Sequence, residues 1–410
     1  MRPLLQRFVR PIGALVAIAL GVSAASGQMY RPIDLGSLRG WTEARAVNNA
    51  QTVVGSTVGN LWRYRGFVWD GDLGTLRPPS PFTQAEGMDI NARSAAIFAV
   101  YSMGEVSPHA IRVQGGDTAD LGAFCPRAIN RAGSVVGTQE SVDPATGLVR
   151  THAVLWNRGA LVPLDPLAPG ADCSALDLSN NGRIVGSAFA ENGLAPIAVL
   201  WRRGAITELG TLGRSPAQAT SVSPRGRYAA GFSATASGAL HAFRYKLRTN
   251  GTVRRRRDIG ALSPGGWSVA YDVNNAADVV GTSDGRAFLF TRGRLLDLNT
   301  SIPASHGWTL VAATGINAGG DIVGWGQHGA DGLRAFLLVR ICSQADVAAP
   351  FGVLDAADRD QYLAAYNEGN IAEADLTGSA MPGAPGYDVP DGVVNADDLM
   401  FFLTLFADGC

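Results

Sequence analysis

The residues whose spacing says most about chemistry lie near the C-terminal end of the 410-residue chain. Asp375-Leu376-Thr377-Gly378 is followed, after residues 379–390, by Asp391-Gly392-Val393-Val394-Asn395-Ala396-Asp397-Asp398. With the intervening segment left out, this is the one-three-five-seven-nine-twelve ligand spacing of a calcium loop, with Gly392 at the sharp turn. Calcium requires several hard oxygens, and Asp375, Thr377, Asp391, the Val393 carbonyl and Asp398 can supply them. Asn395 can reach the ion through water while capping a following helix, whose apolar stripe is Leu399, Phe402, Leu403 and Phe406. A degraded first half precedes it. Asp346 stands at the first ligand position, and Asp355 and Asp358 at the ninth and twelfth. Ala348 and Pro350 occupy ligand positions, one residue is extra, and a helix from Asp355 to about Tyr366 packs through Tyr362, Leu363 and Tyr366.

Elsewhere the chemistry is sparse. No HExxH, Walker A, GxSxG or CxxC occurs beyond the N-terminal segment. Gly324-Trp325-Gly326-Gln327-His328-Gly329 matches GxGxxG, but another strand follows it where a dinucleotide site needs a helix. His109, His152 and His241 share one slot ahead of a strand, which points to packing between elements. Glu43, Glu86 and Glu208 are scattered and form no recognisable acid–base pair. No catalytic residue is assigned and no enzymatic activity is expected. The candidates for a binding face are Trp41, Trp267 and Trp308, with Arg39, Glu43, Arg214 and His306 in related loops. Aromatics beside charges can stack on and hydrogen-bond a glycan or peptide; the competing reading wedges the tryptophans between structural repeats.

The elements that would carry these residues follow from a repeated phrase. Between Asp34 and Val339 the chain runs seven times through an Asp-Leu-Gly-like end, a small-residue approach, a hydrophobic-Asn/Ser pair, a turn and Val-Val-Gly. The anchors are Asn48, Asn91, Asn130, Ser179, Ser223, Asn274 and Asn317, spaced by 43, 39, 49, 44, 51 and 43 residues. A period near 45 with several short strands per unit predicts a seven-bladed β-propeller of four-stranded blades. In the sixth repeat the expected strands are Ser268 to Val273, Asp278 to Gly281, Ala287 to Thr291 and Arg294 to Leu298. The anchor begins a type I turn in each repeat, a structural duty. The last repeat lacks an outer strand and the first is preceded by a spare one, Tyr30 to Gly36. Pairing of the two would close the ring and hide its edges.

Units such as Asp258-Ile259-Gly260…Val273-Asn274…Val279-Val280-Gly281, with His241-Ala242-Phe243, resemble the HAF-repeat extracellular proteins of bacteria. The resemblance covers roughly residues 30–340 and implies export and a propeller, with no general activity. Repeats two and four depart from it, lacking Asp-Leu-Gly and Asn respectively. The paired half-motifs of residues 342–410, ending in Gly409-Cys410, resemble dockerin domains, in particular a bacterial Gly-Cys-ending subtype. That resemblance implies calcium as cofactor and calcium-dependent docking onto a cohesin-like or cell-surface protein. The competing reading is a calcium-free helical pair clasped by Cys342 and Cys410.

Arg2, Arg7 and Arg10 precede an apolar stretch from Ile12 to Val22 and small residues at 23–27, the pattern of a signal peptide over 1–27. The expected domains are therefore 28–340, the propeller, and 341–410, the acidic module. No later segment is apolar enough to span a membrane, so a secreted or surface-bound product is expected. In that oxidising setting Cys342 and Cys410 can bridge. Cys125 and Cys173 either pair between neighbouring repeats or stay as free thiols. Residues 342–410 hold ten Asp, two Glu and only Arg359, a balance of −11 against −1 for the whole chain. Removing three leader arginines leaves the repeats near +7 by subtraction. The one basic run, Arg254 to Arg257, reads as a solvated strand edge, and nucleic acid is not expected as a partner. The function this predicts is a secreted, non-enzymatic protein that binds or displays a protein or glycan and docks through its acidic module. The alternative is a carbohydrate-active enzyme of a polysaccharide-degrading system.

Overall fold

Each glycine of the Val-Val-Gly phrase lies where a second strand is pressed against the carbonyls of a first. A Cβ on Gly137, Gly186, Gly231, Gly281 or Gly324 would approach a first-strand carbonyl oxygen to 2.0, 1.8, 1.9, 2.0 or 2.0 Å, so no larger residue fits. In the computed structural model, residues 29–409 are described, apart from 39, 59–62, 103–106, 145–146, 191–194, 303–305, 331, 350, 352, 383, 386 and 388. They form a mainly-β seven-bladed propeller with a small helical C-terminal segment. Each of the seven sheets has four strands.

Blades one to six span residues 42–75, 84–122, 125–163, 173–208, 213–260 and 268–297 in order. The seventh combines Trp308–Ile316, Ile322–His328 and Leu333–Ile341 with the leading strand Met29–Asp34. Tyr30 pairs with Arg340 and Asp34 with Phe336 in that junction. The first strand of every blade touches the first strands of both neighbours, and the seventh returns to the first. The ring is thus complete around an axis lined by first strands. Small residues suit that crowding: Ala44, Ala175, Ala219, Ala270 and Ala313 are fully buried at equivalent positions. In blade two the glycine has changed strands, with Gly87 on the first strand facing Phe98 on the second.

Between neighbouring blades lie separate apolar clusters. Phe67, Phe98, Phe243, Phe288 and Phe336, from third or second strands, are each fully buried. The sixth blade's strands run Ser268–Val273, Val279–Ser283, Arg286–Thr291 and Arg294–Asp297, close to the expected bounds. After Ile341 come two 13-residue helices, Ala356–Glu368 and Ala396–Asp408, with a single turn at Ile371–Ala374 between them. Tyr362 stacks flat on Phe402 with ring centroids 3.8 Å apart, forming the centre of a small core. The expected stripe on the second helix is partly corrected. Leu403 is exposed, whereas Phe401 is buried, because the helix turns that flank toward Tyr387. No helix among the described residues is long and apolar enough to cross a membrane.

Candidate functional site

Every first strand carries a bulge at the same place, two to four residues before its anchor. A bulge re-aims side chains. The residue that follows it is Asp89 in blade two, Asp177 in blade four and Asp272 in blade six, each on a first strand that lines the axis. Each carboxylate accepts the backbone N–H of the residue that follows it, from Ile90, Leu178 and Val273 at 2.7, 2.6 and 2.7 Å. Each also accepts an N–H from the next blade, from Ile129, Val222 and Ile316 at 2.8, 2.7 and 2.9 Å. The Ser221 hydroxyl lies between two of them, 2.8 Å from Asp177 and 2.7 Å from Asp272. Burial and the facing Asp272 carboxylate push Asp177 up to about 7, against the pull of the Val222 and Ser221 donors. Burial likewise raises Asp89 and Asp272 above the usual carboxylate range.

At the bulge of the first blade, Arg45 joins two carboxylates from neighbouring blades. Its Nη2 lies 2.8 Å from Glu43 and 3.2 Å from Glu86. The two acids thus converge with a guanidinium between them, and Glu208 stays apart on an outer strand. The sequence did not reveal this grouping, since Glu43 and Glu86 are 43 residues apart.

The anchor side chains do more than begin turns. Asn274 Oδ1 accepts the N–H groups of Ala276 and Asp278, both at 3.0 Å. The Asn91, Asn274 and Asn317 amides donate to the anchor carbonyls of the next blade, Asn130, Asn317 and Asn48. The recurrent histidines also find a local duty. His241 Nδ1 sits 3.0 Å from Asp258, the aspartate of that blade's Asp-Leu-Gly end, and Arg286 takes the same place against Asp297 at 2.8 Å.

The proposed binding-face residues that are described each have local partners of their own. Trp41 packs edge-on to Tyr64 at 5.7 Å, and Trp308 stacks on His328 at 4.4 Å. Trp267 is exposed beside Asp284, which accepts its backbone N–H. Arg214 is exposed on blade five. His306 is pushed below the usual imidazole range by burial and by Arg31. Arg39 lies outside the described residues. Cys125 and Cys173 are free thiols, raised by burial. Cys342 is disulfide-bonded, while Cys410 and residues 1–27, expected as a leader, lie outside the described residues.

In the acidic module the two half-motifs fold alike. Asp358 and Asp398 each close a capping box at the start of a helix. Asp358 also accepts the N–H groups of Val347 and Ala348, and Asp398 those of Leu376 and Thr377. Asp375 accepts from Asp391 at 3.1 Å and Gly392 at 2.6 Å. Asn395 caps its helix by accepting from Asp397, and Asp355 caps the other by accepting from Ala357. The Asp346 carboxylate accepts from Cys342. Asp375, Asp391 and Asp398 are oxygen-only donors, and the bonds that Asp375 and Asp398 accept from neighbouring backbone leave each oxygen a second lone pair. That donor chemistry suits calcium. As arranged, no three Asp, Glu, His or Cys side chains among the described residues converge closely enough to hold an ion.

No protein-family model and no curated protein matches the chain. Among solved structures it is similar to TolB from Acinetobacter baumannii, at 14% identity and TM-score 0.39, over 73% of this chain and 64% of that one. It is also similar to YCF48 bound to D1 peptide, at 12% identity and TM-score 0.44, over 77% and 98%. A third is the Dos1 propeller, at 9% identity and TM-score 0.41, over 75% and 95%. The chain spans just under two thirds of TolB, and likenesses this distant carry neither an activity nor a partner across.

Proposed function

We propose that the chain is an exported, non-catalytic propeller of the HAF-repeat kind that binds or displays a protein or glycan. One observation carries the reading: the axial carboxylates, where a propeller could concentrate chemistry, are already engaged in bonds between blades. The leading strand serves as the clasp of the ring. The C-terminal unit acts as a dockerin-like tether to a cohesin-like surface protein, with Asp375, Thr377, Asp391, Val393 and Asp398 as the calcium ligands, Asn395 assisting through water, and Asp346, Asp355 and Asp358 as a weaker set. Cys342 and Cys410 close this unit.

A second reading is favoured by the convergence of Glu43 and Glu86 on Arg45. Paired carboxylates are what glycoside hydrolysis requires, although here the guanidinium stands where a sugar would have to enter. A panel of polysaccharides scored for both retained protein and released reducing ends separates the two. Retention without release is the expected result. Release that disappears in Glu86→Gln would replace the proposal with the hydrolase.

A further inference from the structure

The hairpin Leu240–Leu247 and Val253–Gly260 at the rim of blade five contains a local conflict of charge. Arg244 is paired across the strands with Arg257, and Lys246 with Arg255. Like charges directly opposite destabilise a sheet, and these two pairs are neighbours on one face. Residues two apart on a strand are about 6.6 Å apart, and paired strands about 4.8 Å. The four cations thus mark the corners of a small rectangle.

They line a cleft of about 260 Å³ with Tyr228 and, from blade six, Gly293. Among the described residues no carboxylate lines it. Asp278, whose charge acts on Arg244, has its oxygens engaged by Thr291 and Asn274. Aromatic faces hold the cations in place: Arg244 lies over Phe290 at 5.0 Å and Tyr228 at 5.7 Å, and Lys246 lies over Tyr228 at 5.9 Å. Burial, Arg257 and Arg255 all weaken the hold of Arg244 on its proton. The other two arginines of the run differ in setting. Arg256 lies over Tyr245 and donates to the Leu209 carbonyl, and Arg254 stands at the bulge between Arg255 and Val253, outside the lining of the cleft.

We propose that this cleft binds an oxyanion group, a sulfate or phosphate, whose charge relieves the paired cations. Guanidinium forks present two donors to such a group and an ammonium adds a third direction. The group could come from a sulfated polymer or from free phosphate. The cleft lies at the rim, away from the axis, so its test is independent of the function proposed above.

The experiment compares native protein with Arg255→Thr and Lys246→Thr, and with Arg254→Thr as a control from the same basic run outside the cleft lining. Immobilised dextran sulfate against uncharged dextran tests the polymer. Sodium phosphate against sodium chloride at equal ionic strength, read as thermal stability, tests the free ion. Arg255→Thr and Lys246→Thr should melt at or above the native temperature, because a like-charge pair is removed. Each should weaken anion binding about tenfold, while Arg254→Thr leaves it unchanged. Loss on dextran sulfate identifies a polymer-borne group, and loss of the phosphate effect alone identifies the free ion. The proposal is overturned if Arg255→Thr matches Arg254→Thr in both assays, or if removing either cleft cation lowers the melting temperature.

Discussion

At the scale of single residues, the three axial aspartates set how stability depends on pH. A carboxyl held in the folded chain above its unfolded value stabilises the fold in its protonated form. That contribution is complete below about pH 4 and is lost as pH rises through the folded value, near 7 for Asp177. The native bonds from Val222 and Ser221 do not reverse the sign, because they only reduce the upward shift. The melting temperature is therefore expected to fall between pH 4 and pH 8. Asp177→Asn should flatten that slope, even if exchanging an acceptor oxygen for an amide lowers stability overall. Thermal melts across the range check this, and parallel curves for the two proteins would sink it. The aspartates themselves were visible in the sequence, two residues before the anchors of alternate repeats. Their role was not, because each takes its second N–H from a strand 40 to 45 residues away.

At the scale of elements, the leading strand Met29–Asp34 supplies the fourth strand of the last blade and completes its apolar cluster. Tyr30 is buried among Leu298, Leu310, Phe336 and Leu338, and its N–H donates to the Ser301 carbonyl. Without it, Leu333–Ile341 becomes an exposed apolar edge, which invites pairing with other chains. Deleting residues 29–34 should give aggregated protein by size-exclusion chromatography. Tyr30→Ala should remain folded but lose about 3–5 kcal/mol in denaturant unfolding, the usual range for a buried aromatic. A monomeric deletion variant with native stability would show that the strand is dispensable. The seven blades were legible because they rest on local grammar: alternation, turn residues and a period. The bulges were not, because a bulge leaves no local signature in strands as varied as Glu43-Ala44-Arg45-Ala46 and Ala313-Thr314-Gly315. The paired role of His241 and Asp258 was half legible. Both recur in the repeated phrase, but only the antiparallel register of third and fourth strands brings them together.

At the scale of the whole molecule, charge and contact join two units of different character. Arg31, on the leading strand, donates to the Val347 carbonyl at 2.7 Å, lies 3.5 Å from Glu373 and sits over the Phe351 ring. The acidic unit is thus anchored to the blade that closes the ring. Its charge of −11 is spread over ten Asp and two Glu, and self-repulsion of that kind favours a bound cation. Calcium binding at the second half is therefore expected to give measurable heat in the native chain. It should also raise the melting temperature by mass action, since an ion taken up by the folded chain and not by the unfolded one stabilises the fold. Asp391→Ala removes an exposed carboxylate that among the described residues holds only the Val393 N–H, so this variant should fold normally and lose both signals. Asp358→Asn should retain them, because its half-motif has Ala348 where a ligand is needed, while losing stability from the broken capping box. If the native chain gives no heat with calcium, the paired carboxylates are helix clasps alone, and any docking by this unit proceeds without metal.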